Sequence, residues 1–191
     1  SEQDGADVRL LVQHGDLAPT SRYAPIRTEE LAASGVDYAA LGHIHKRSDI
    51  LCAGKTHYAY CGCPEGRGFD ETGPLGVYLG EVWNGGHSLR FEPVCRWEYR
   101  IVRLEISRSA APSALPAFII EALRQRFGED YAEHRYRLVL EGSCGFLPDL
   151  QLLQAQLSDR LAEVHLRDKT LPPVQEGETV PGLRGSFLRK M

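Results

Sequence analysis

DYAALGHIH (residues 37–45) joins a short apolar run to two histidines that stand one residue apart. The run has the length and the flanking residues of a buried strand. Gly42 lets the backbone turn directly before the histidines, so the strand is expected to end there. If the segment stays extended, His43 and His45 point to the same side while Ile44 faces the core. The stretch therefore predicts a buried strand that delivers two imidazoles to one place.

Two neighbouring neutral imidazoles are a suitable donor pair for a divalent metal ion, with nitrogen–metal distances of ~2.0–2.2 Å. A third histidine, His14, follows another apolar run at residues 8–12, which we expect to be a central strand covered on both faces. Because open α/β sheets bind ligands at the carboxyl ends of their strands, His14 is a further candidate ligand. Ordinary loop or core histidines remain the alternative for all three.

The remaining pattern up to residue 94 is that of an α/β unit. Thr28 is a candidate N-cap for a short helix at residues 29–34, and Gly35 is placed to end that helix. Short strands are predicted at residues 50–53 and 57–61. Asn84-Gly85 then indicates a hairpin whose two strands are expected to close the same sheet.

A domain boundary is predicted near residue 97, which divides the chain into 1–97, 98–171 and a tail at 172–191. The middle part has the order β-α-β-α, with a further strand near residues 164–169. The tail is rich in proline and glycine and is expected to be a linker or a partner-binding extension. The first helix of the middle part is predicted from apolar residues at helical spacing: Leu115, Phe118, Ile119, Ala122, Leu123 and Phe127.

Composition predicts a folded protein without an overall basic field. The chain has 191 residues, 42% of them hydrophobic, which is enough to bury a core. The formal net charge of −4 provides no overall basic field for a phosphate backbone, so nucleic-acid binding would have to come from local arginines or from a metal site. No apolar run is long enough to span a bilayer and no signal peptide is evident, so we expect a soluble, cytoplasmic protein. The odd cysteine count indicates reduced thiols: Cys52, Cys61, Cys63, Cys95 and Cys144.

Three stretches, in matching order and spacing, resemble the calcineurin-like metallophosphoesterases, in the form found in DNA repair exonucleases of the SbcD type. They are VRLLVQHGD (residues 8–16), DYAALGHIHK (residues 37–46) and AYCGCPEGRGFDETG (residues 59–73). The resemblance implies an α/β (α+β) fold: the C-terminal half of a phosphoesterase β-sandwich flanked by helices, followed by a small β-α-β-α capping domain. In these nucleases the capping domain helps to select DNA.

The resemblance also implies a chemistry and a set of site residues. In the intact enzyme two Mn²⁺ ions, or Mg²⁺ in their place, would hydrolyse a phosphodiester, with His14 and His43 on one ion and His45 on the other. Lys46 and Arg67 are candidates for contact with a substrate phosphate, although solvated surface positions are the alternative for both. The implied partners are DNA, with a coiled-coil ATPase subunit of the ABC type and a second copy of the chain as further candidates.

The chain departs from the family in one respect that bears on activity. The upstream Asp-x-His, Gly-Asp-x-x-Asp and Gly-Asn-His-Asp/Glu motifs of the family do not occur in it. No catalytic residue is therefore assigned, since the histidine that would protonate the leaving group is expected upstream, and the chain alone is expected to be inactive. A phosphoesterase acting on a small molecule and a non-catalytic binding module are the alternatives.

Overall fold

A computed structural model describes residues 7–18, 20, 22–106, 111–143 and 145–171. The predicted mixed α/β class is confirmed: the described residues form several sheets and few helices, compatible with an α+β phosphoesterase-like fold. Unit 1 comprises Ser1–Ile101 and Ala132–Arg137, and unit 2 comprises Val102–Tyr131 and Leu138–Met191. The predicted domain limits stay a prediction, and the predicted tail at 172–191 lies outside the described residues.

A four-stranded sheet in unit 1 carries the candidate histidines. Its strands have the spatial order β1-β2-β4-β3, in which β1 and β4 run parallel to β2 and β3 runs antiparallel to β4. Their bounds, with the helix that connects the first two, are β1 Leu10–His14, α1 Thr28–Ala33, β2 Tyr38–Gly42, β3 Leu51–Ala53 and β4 Thr56–Tyr60. The register sets His14 opposite Gly42, so β1 and β2 end at the same level.

The hydrophobic core of this sheet is built around β2, as its apolar run predicts. Its buried members are Leu31, Ala39, Leu41, Ala53 and Tyr60. The expectation that the first strand is covered on both faces is wrong, because Leu10 is 62% exposed and Val12 is 83% exposed. In the described sheet β1 is an edge strand, and edge strands have fewer neighbours to bury their side chains.

Helix α1 begins one residue earlier than expected. Its N-cap is Arg27 rather than Thr28, and the helix ends with Ser34 as C-cap. A carboxylate oxygen of Glu30 accepts a hydrogen bond from the backbone N–H of Arg27 at 3.1 Å, which satisfies a donor that the helix itself cannot satisfy. The second oxygen of Glu30 pairs with the Arg27 guanidinium at 2.5 Å.

The predicted hairpin is confirmed, but it does not close the four-stranded sheet. Strands β5 Gly76–Trp83 and β6 Gly86–Pro93 pair antiparallel around the expected Asn-Gly turn. They form a separate two-stranded sheet, because their backbone ladder pairs them only with each other in the described residues. The hairpin contacts the main sheet region through other groups: Tyr78 donates its hydroxyl proton to the carbonyl oxygen of Ser48 at 2.5 Å.

Unit 2 has the predicted order of elements, including the additional strand. Its three-stranded sheet has the order β7-β8-β9. The part of β7 before Val102 and the part of β8 before Leu138 belong to unit 1. The bounds are β7 Tyr99–Glu105, α2 Leu115–Phe127, β8 Arg135–Ser143, α3 Leu150–Ser158 and β9 Glu163–Leu171. In α2 the buried face includes Ile120 instead of the expected Phe118, which is 44% exposed.

Within the part of the chain that the structure describes, no helix has both the length and the apolar character that a bilayer crossing requires. The cysteines Cys52, Cys61, Cys63 and Cys95 are free thiols, whereas Cys144 lies outside the described residues.

Candidate metal and phosphate site

The structure brings His14 and His43 together at the carboxyl ends of β1 and β2. Nε2 of His14 lies 3.3 Å from Nδ1 of His43, and the two rings meet edge to face with centroids 5.1 Å apart. The parallel pairing of the two strands produces this contact, because His14 is level with Gly42 and His43 is the next residue along the chain. The two imidazoles are 29 residues apart in the sequence.

Glycines and one tyrosine hydroxyl hold the backbone around this histidine pair. A Cβ atom at Gly42 would lie 3.2 Å from Nδ1 of His14, so a side chain there would crowd the imidazole. Gly15 donates its N–H to the carbonyl oxygen of Gly42 at 3.2 Å. The Tyr60 hydroxyl donates to the carbonyl oxygen of Gly15 at 2.9 Å and accepts from the N–H of Leu17 at 3.1 Å. Strand β4 is thereby tied to the turn that follows His14.

His43 has an unusual backbone conformation, with φ at +98°. Positive φ is unfavourable for residues with a Cβ atom and is found more often at functional sites than elsewhere. The expectation that the His43–His45 segment is extended is therefore wrong at its first residue. As a result, the side-chain partners of the two histidines differ: His43 faces His14, and His45 faces Glu71.

The donor set at His14 and His43 fits one divalent metal ion. Two ligands held at ~2.1 Å lie roughly 3.4 Å apart around a tetrahedral ion and roughly 3.0 Å apart around an octahedral ion. The observed separation of 3.3 Å between the two ring nitrogens falls within that interval. Two imidazole nitrogens could thus bind one ion with little movement, and the remaining ligands would have to come from other groups.

The His45 imidazole has an acidic partner. Its Nδ1 lies 2.6 Å from Oε1 of Glu71, and the Glu71 side chain is only 10% exposed. The other carboxylate oxygen of Glu71 accepts the backbone N–H of Arg67 at 2.8 Å. The hydrogen bond with His45, followed by the one from Arg67, lowers the pKa of the Glu71 carboxyl below its usual value. Glu71 is therefore ionised at neutral pH.

Cys63 lies close to this pair. The possible ligand atoms of His45, Cys63 and Glu71 all lie within 4.8 Å of one another. However, the Cys63 thiol points at the carbonyl oxygen of His45, 3.7 Å away. Burial, reinforced by the charge of Glu71, raises the pKa of the Cys63 thiol. The thiol, not the thiolate, is therefore the form of Cys63 in the metal-free chain at neutral pH.

A cavity of about 380 Å³ opens beside His45. Lys46 and Arg47 supply positive charge to its lining, and Asp70 and Glu71 supply negative charge. The Arg47 guanidinium lies over the ring of Phe91, 4.1 Å from the centroid, which holds that cation in place. Arg67 is 74% exposed, and its guanidinium lies 3.3 Å and 3.5 Å from the two ring nitrogens of His45. The roles predicted for Lys46 and Arg67 in phosphate contact stay predictions.

Sequence reasoning missed Glu71 and the placement of Arg47 over Phe91. The sequence of residues 62–73 points to Arg67 as a candidate, whereas the acidic residues of this loop carry no periodic or spacing signal. Glu71 contacts a histidine 26 residues away, and only the folded chain reveals such a pair. An acidic residue inside a glycine-rich loop that follows a His-x-His stretch was the available signal.

One curated relative provides a comparison, whereas no protein-family model matches the chain. Over 82 residues the chain is 42% identical to a protein named "Uncharacterized metallophosphoesterase YhaO" from Bacillus subtilis (strain 168). The matched stretch is 41% of this chain and 20% of the relative, so the chain spans about a fifth of the length of that protein. The similarity supports the metallophosphoesterase superfamily for this chain.

Proposed function

We propose that the chain is part of a metal-dependent phosphodiesterase, specifically a Mn²⁺-dependent DNA repair exonuclease. The observation that carries the proposal is the convergence of His14 and His43 at the ends of adjacent parallel strands, at a separation that suits one ion. The similarity to a metallophosphoesterase supports phosphoester hydrolysis and the use of divalent metals as the general chemistry. The proposal goes beyond this general chemistry in naming DNA as the substrate and Mn²⁺ as the metal.

The residues of the chain have distinct roles in this proposal. His14 and His43 bind one ion through neutral ring nitrogens, and His45 binds the other. When bound, a pair of divalent ions supplies Lewis-acid polarisation of the phosphoryl group and lowers the pKa of a water molecule. Lys46 and Arg67 attract and orient the phosphate near the ions, where their charge offsets the charge of the substrate.

The chain alone should be inactive in this proposal. Mn²⁺ prefers carboxylate, carbonyl and water oxygens, and three imidazoles are a weak donor set for it. The acidic ligands and the proton donor for the leaving group would come from the remainder of the intact enzyme. The partners proposed with this function are DNA, a coiled-coil ATPase subunit of the ABC type and a second copy of the chain, in the cytoplasm.

A small-molecule phosphoester is the second candidate substrate, and one observation favours it. The net charge of −4 would repel a polyanion at long range, whereas a small ligand needs only local cations such as Lys46 and Arg47. The loop at residues 62–73 and the unit-2 module, by their resemblance to the nuclease loop and cap, favour DNA.

The test is hydrolysis by the intact protein with Mn²⁺ on linear duplex DNA, single-stranded DNA and a generic phosphodiester. We expect DNA cleavage that His43→Ala abolishes while the circular dichroism spectrum is unchanged. His165→Ala is the matched control, because His165 is an exposed histidine on β9 whose partner is Glu163. Near-normal Mn²⁺-dependent hydrolysis by His43→Ala would contradict the assignment. Robust cleavage of linear DNA by this chain alone would contradict the prediction that the chain is inactive without the rest of the enzyme.

A further inference from the structure

We propose that Glu71 is a positioning residue for His45: its carboxylate holds the Nδ1–H of the imidazole, so that Nε2 is left to bind a metal ion. The metal-binding part of this inference rests on the proposed function. The orientation of the ring does not, because it follows from contacts within the chain. The two parts can therefore be tested separately.

The contact between the two side chains is short and well supported. Nδ1 of His45 and Oε1 of Glu71 are 2.6 Å apart, as in charge-assisted hydrogen bonds. Their separation is smaller than the roughly 3.0 Å that two ligands of one ion keep. This geometry indicates a direct hydrogen bond rather than two groups arranged around a shared ion. Imidazole ligands of metals commonly donate their other ring N–H to a carboxylate in this way.

Glu71 can orient another side chain because its own position is fixed. Its second oxygen accepts the backbone N–H of Arg67 at 2.8 Å, and its backbone N–H donates to the carbonyl oxygen of Gly68 at 3.1 Å. Gly66 passes close by, since a Cβ atom there would lie 3.1 Å from the carbonyl oxygen of Glu71. The loop from Gly66 to Glu71 thus closes on itself and presents the carboxylate to His45.

The 2.6 Å contact with Glu71 determines which nitrogen of His45 carries the proton. An ionised carboxylate only accepts hydrogen bonds, so Nδ1 must donate to it and the lone pair of a neutral ring lies on Nε2. The same guanidinium nitrogen of Arg67 lies 3.3 Å from Nδ1 and 3.5 Å from Nε2, so it lies across the imidazole and not along the lone pair of Nε2. Arg67 therefore leaves that lone pair open to a metal ion, and its side chain is 74% exposed.

The first experiment determines the protonation of the His45 ring in the metal-free chain by long-range ¹H–¹⁵N correlation spectroscopy at neutral pH. We expect the proton on Nδ1 in the wild-type chain and loss of that preference in the isosteric variant Glu71→Gln. Asp70→Asn is the matched control, because it removes a negative charge from the same cavity but no bond to His45. A wild-type ring protonated on Nε2, or a preference unchanged in Glu71→Gln, would overturn the proposal, and the wild-type spectrum decides even if the variant does not fold.

The second experiment measures Mn²⁺ affinity in the intact protein from the electron paramagnetic resonance signal of free Mn²⁺. Glu71→Gln should weaken binding by about 10- to 100-fold, whereas Asp70→Asn and Cys63→Ser should change it by less than about 2-fold. If Cys63→Ser weakens binding as much as Glu71→Gln, and Co²⁺ substitution shows thiolate absorption, then Cys63 and Glu71 ligate directly and the proposal is wrong. If the intact protein hydrolyses no phosphodiester, the proposed function fails while the tautomer result stands on its own.

Discussion

Gly62 is the position at which a single methyl group should disturb the candidate site most directly. Its φ is +83°, and a Cβ atom would lie 2.7 Å from the carbonyl oxygen of His45 and 3.1 Å from the backbone nitrogen of Arg47. The left-handed conformation costs an L-residue about 1–2 kcal/mol. The forced displacement of packed backbone adds about 1–3 kcal/mol. Gly62→Ala should therefore destabilise unit 1 by about 2–5 kcal/mol.

Gly73→Ala separates these two contributions. Gly73 has nearly the same φ, +84°, but a Cβ atom there would meet nothing within 4 Å. Gly73→Ala should therefore lower the free energy of unfolding only by the cost of the left-handed conformation, about 1–2 kcal/mol. Both tryptophans, Trp83 and Trp97, belong to unit 1, so urea unfolding followed by fluorescence reports the stability of that unit. Equal losses in the two variants would refute the claim that the His45 carbonyl blocks a side chain at Gly62.

Three further predictions concern single side chains. Tyr60→Phe should lower the free energy of unfolding of unit 1 by about 1–3 kcal/mol, measured by the same fluorescence assay, because the carbonyl of Gly15 loses its partner. Burial raises the pKa of Tyr38 to about 12. Its contribution to the free energy of unfolding is therefore complete below pH 10 and is lost as the pH rises through 12. The loss, up to about 2–3 kcal/mol in urea titrations at increasing pH, should be absent in Tyr38→Phe. Leu138→Ala should lower the free energy of unfolding, followed by circular dichroism, by about 2–5 kcal/mol. Leu147 is 72% exposed, so Leu147→Ala should have little effect. Equal effects of the two substitutions would contradict the assigned core.

The parts of the fold that could be predicted are those encoded by neighbouring residues. The strand at residues 38–41 is recognisable because its apolar run is continuous and ends at Gly42. The hairpin is recognisable because Asn84-Gly85 favours a tight turn. In α3 the N-cap Asp149 accepts hydrogen bonds from the N–H groups of Gln151 and Leu152, which is typical of aspartate at that position.

The parts that could not be predicted depend on residues distant in the sequence. The burial of β1 was overestimated because an apolar pattern does not reveal whether a strand lies in the centre or at the edge of its sheet. The hairpin was assigned to the wrong sheet because turn chemistry specifies a strand pair but not its neighbours. The positive φ of His43 could not be predicted, because residues other than glycine rarely adopt that conformation and the sequence around His43 does not signal it.

The three candidate histidines have two different kinds of support, and this difference determines how the site should respond to perturbation. His14 is the last residue of β1 and His43 directly follows β2, so the backbone ladder between the two strands sets how far apart they lie. His45 depends instead on Glu71, which belongs to a loop held by a few hydrogen bonds. Loops open locally at a lower free-energy cost than paired strands. A change that disturbs the loop should therefore displace the His45 ring and leave the 3.3 Å contact between the other two imidazoles intact.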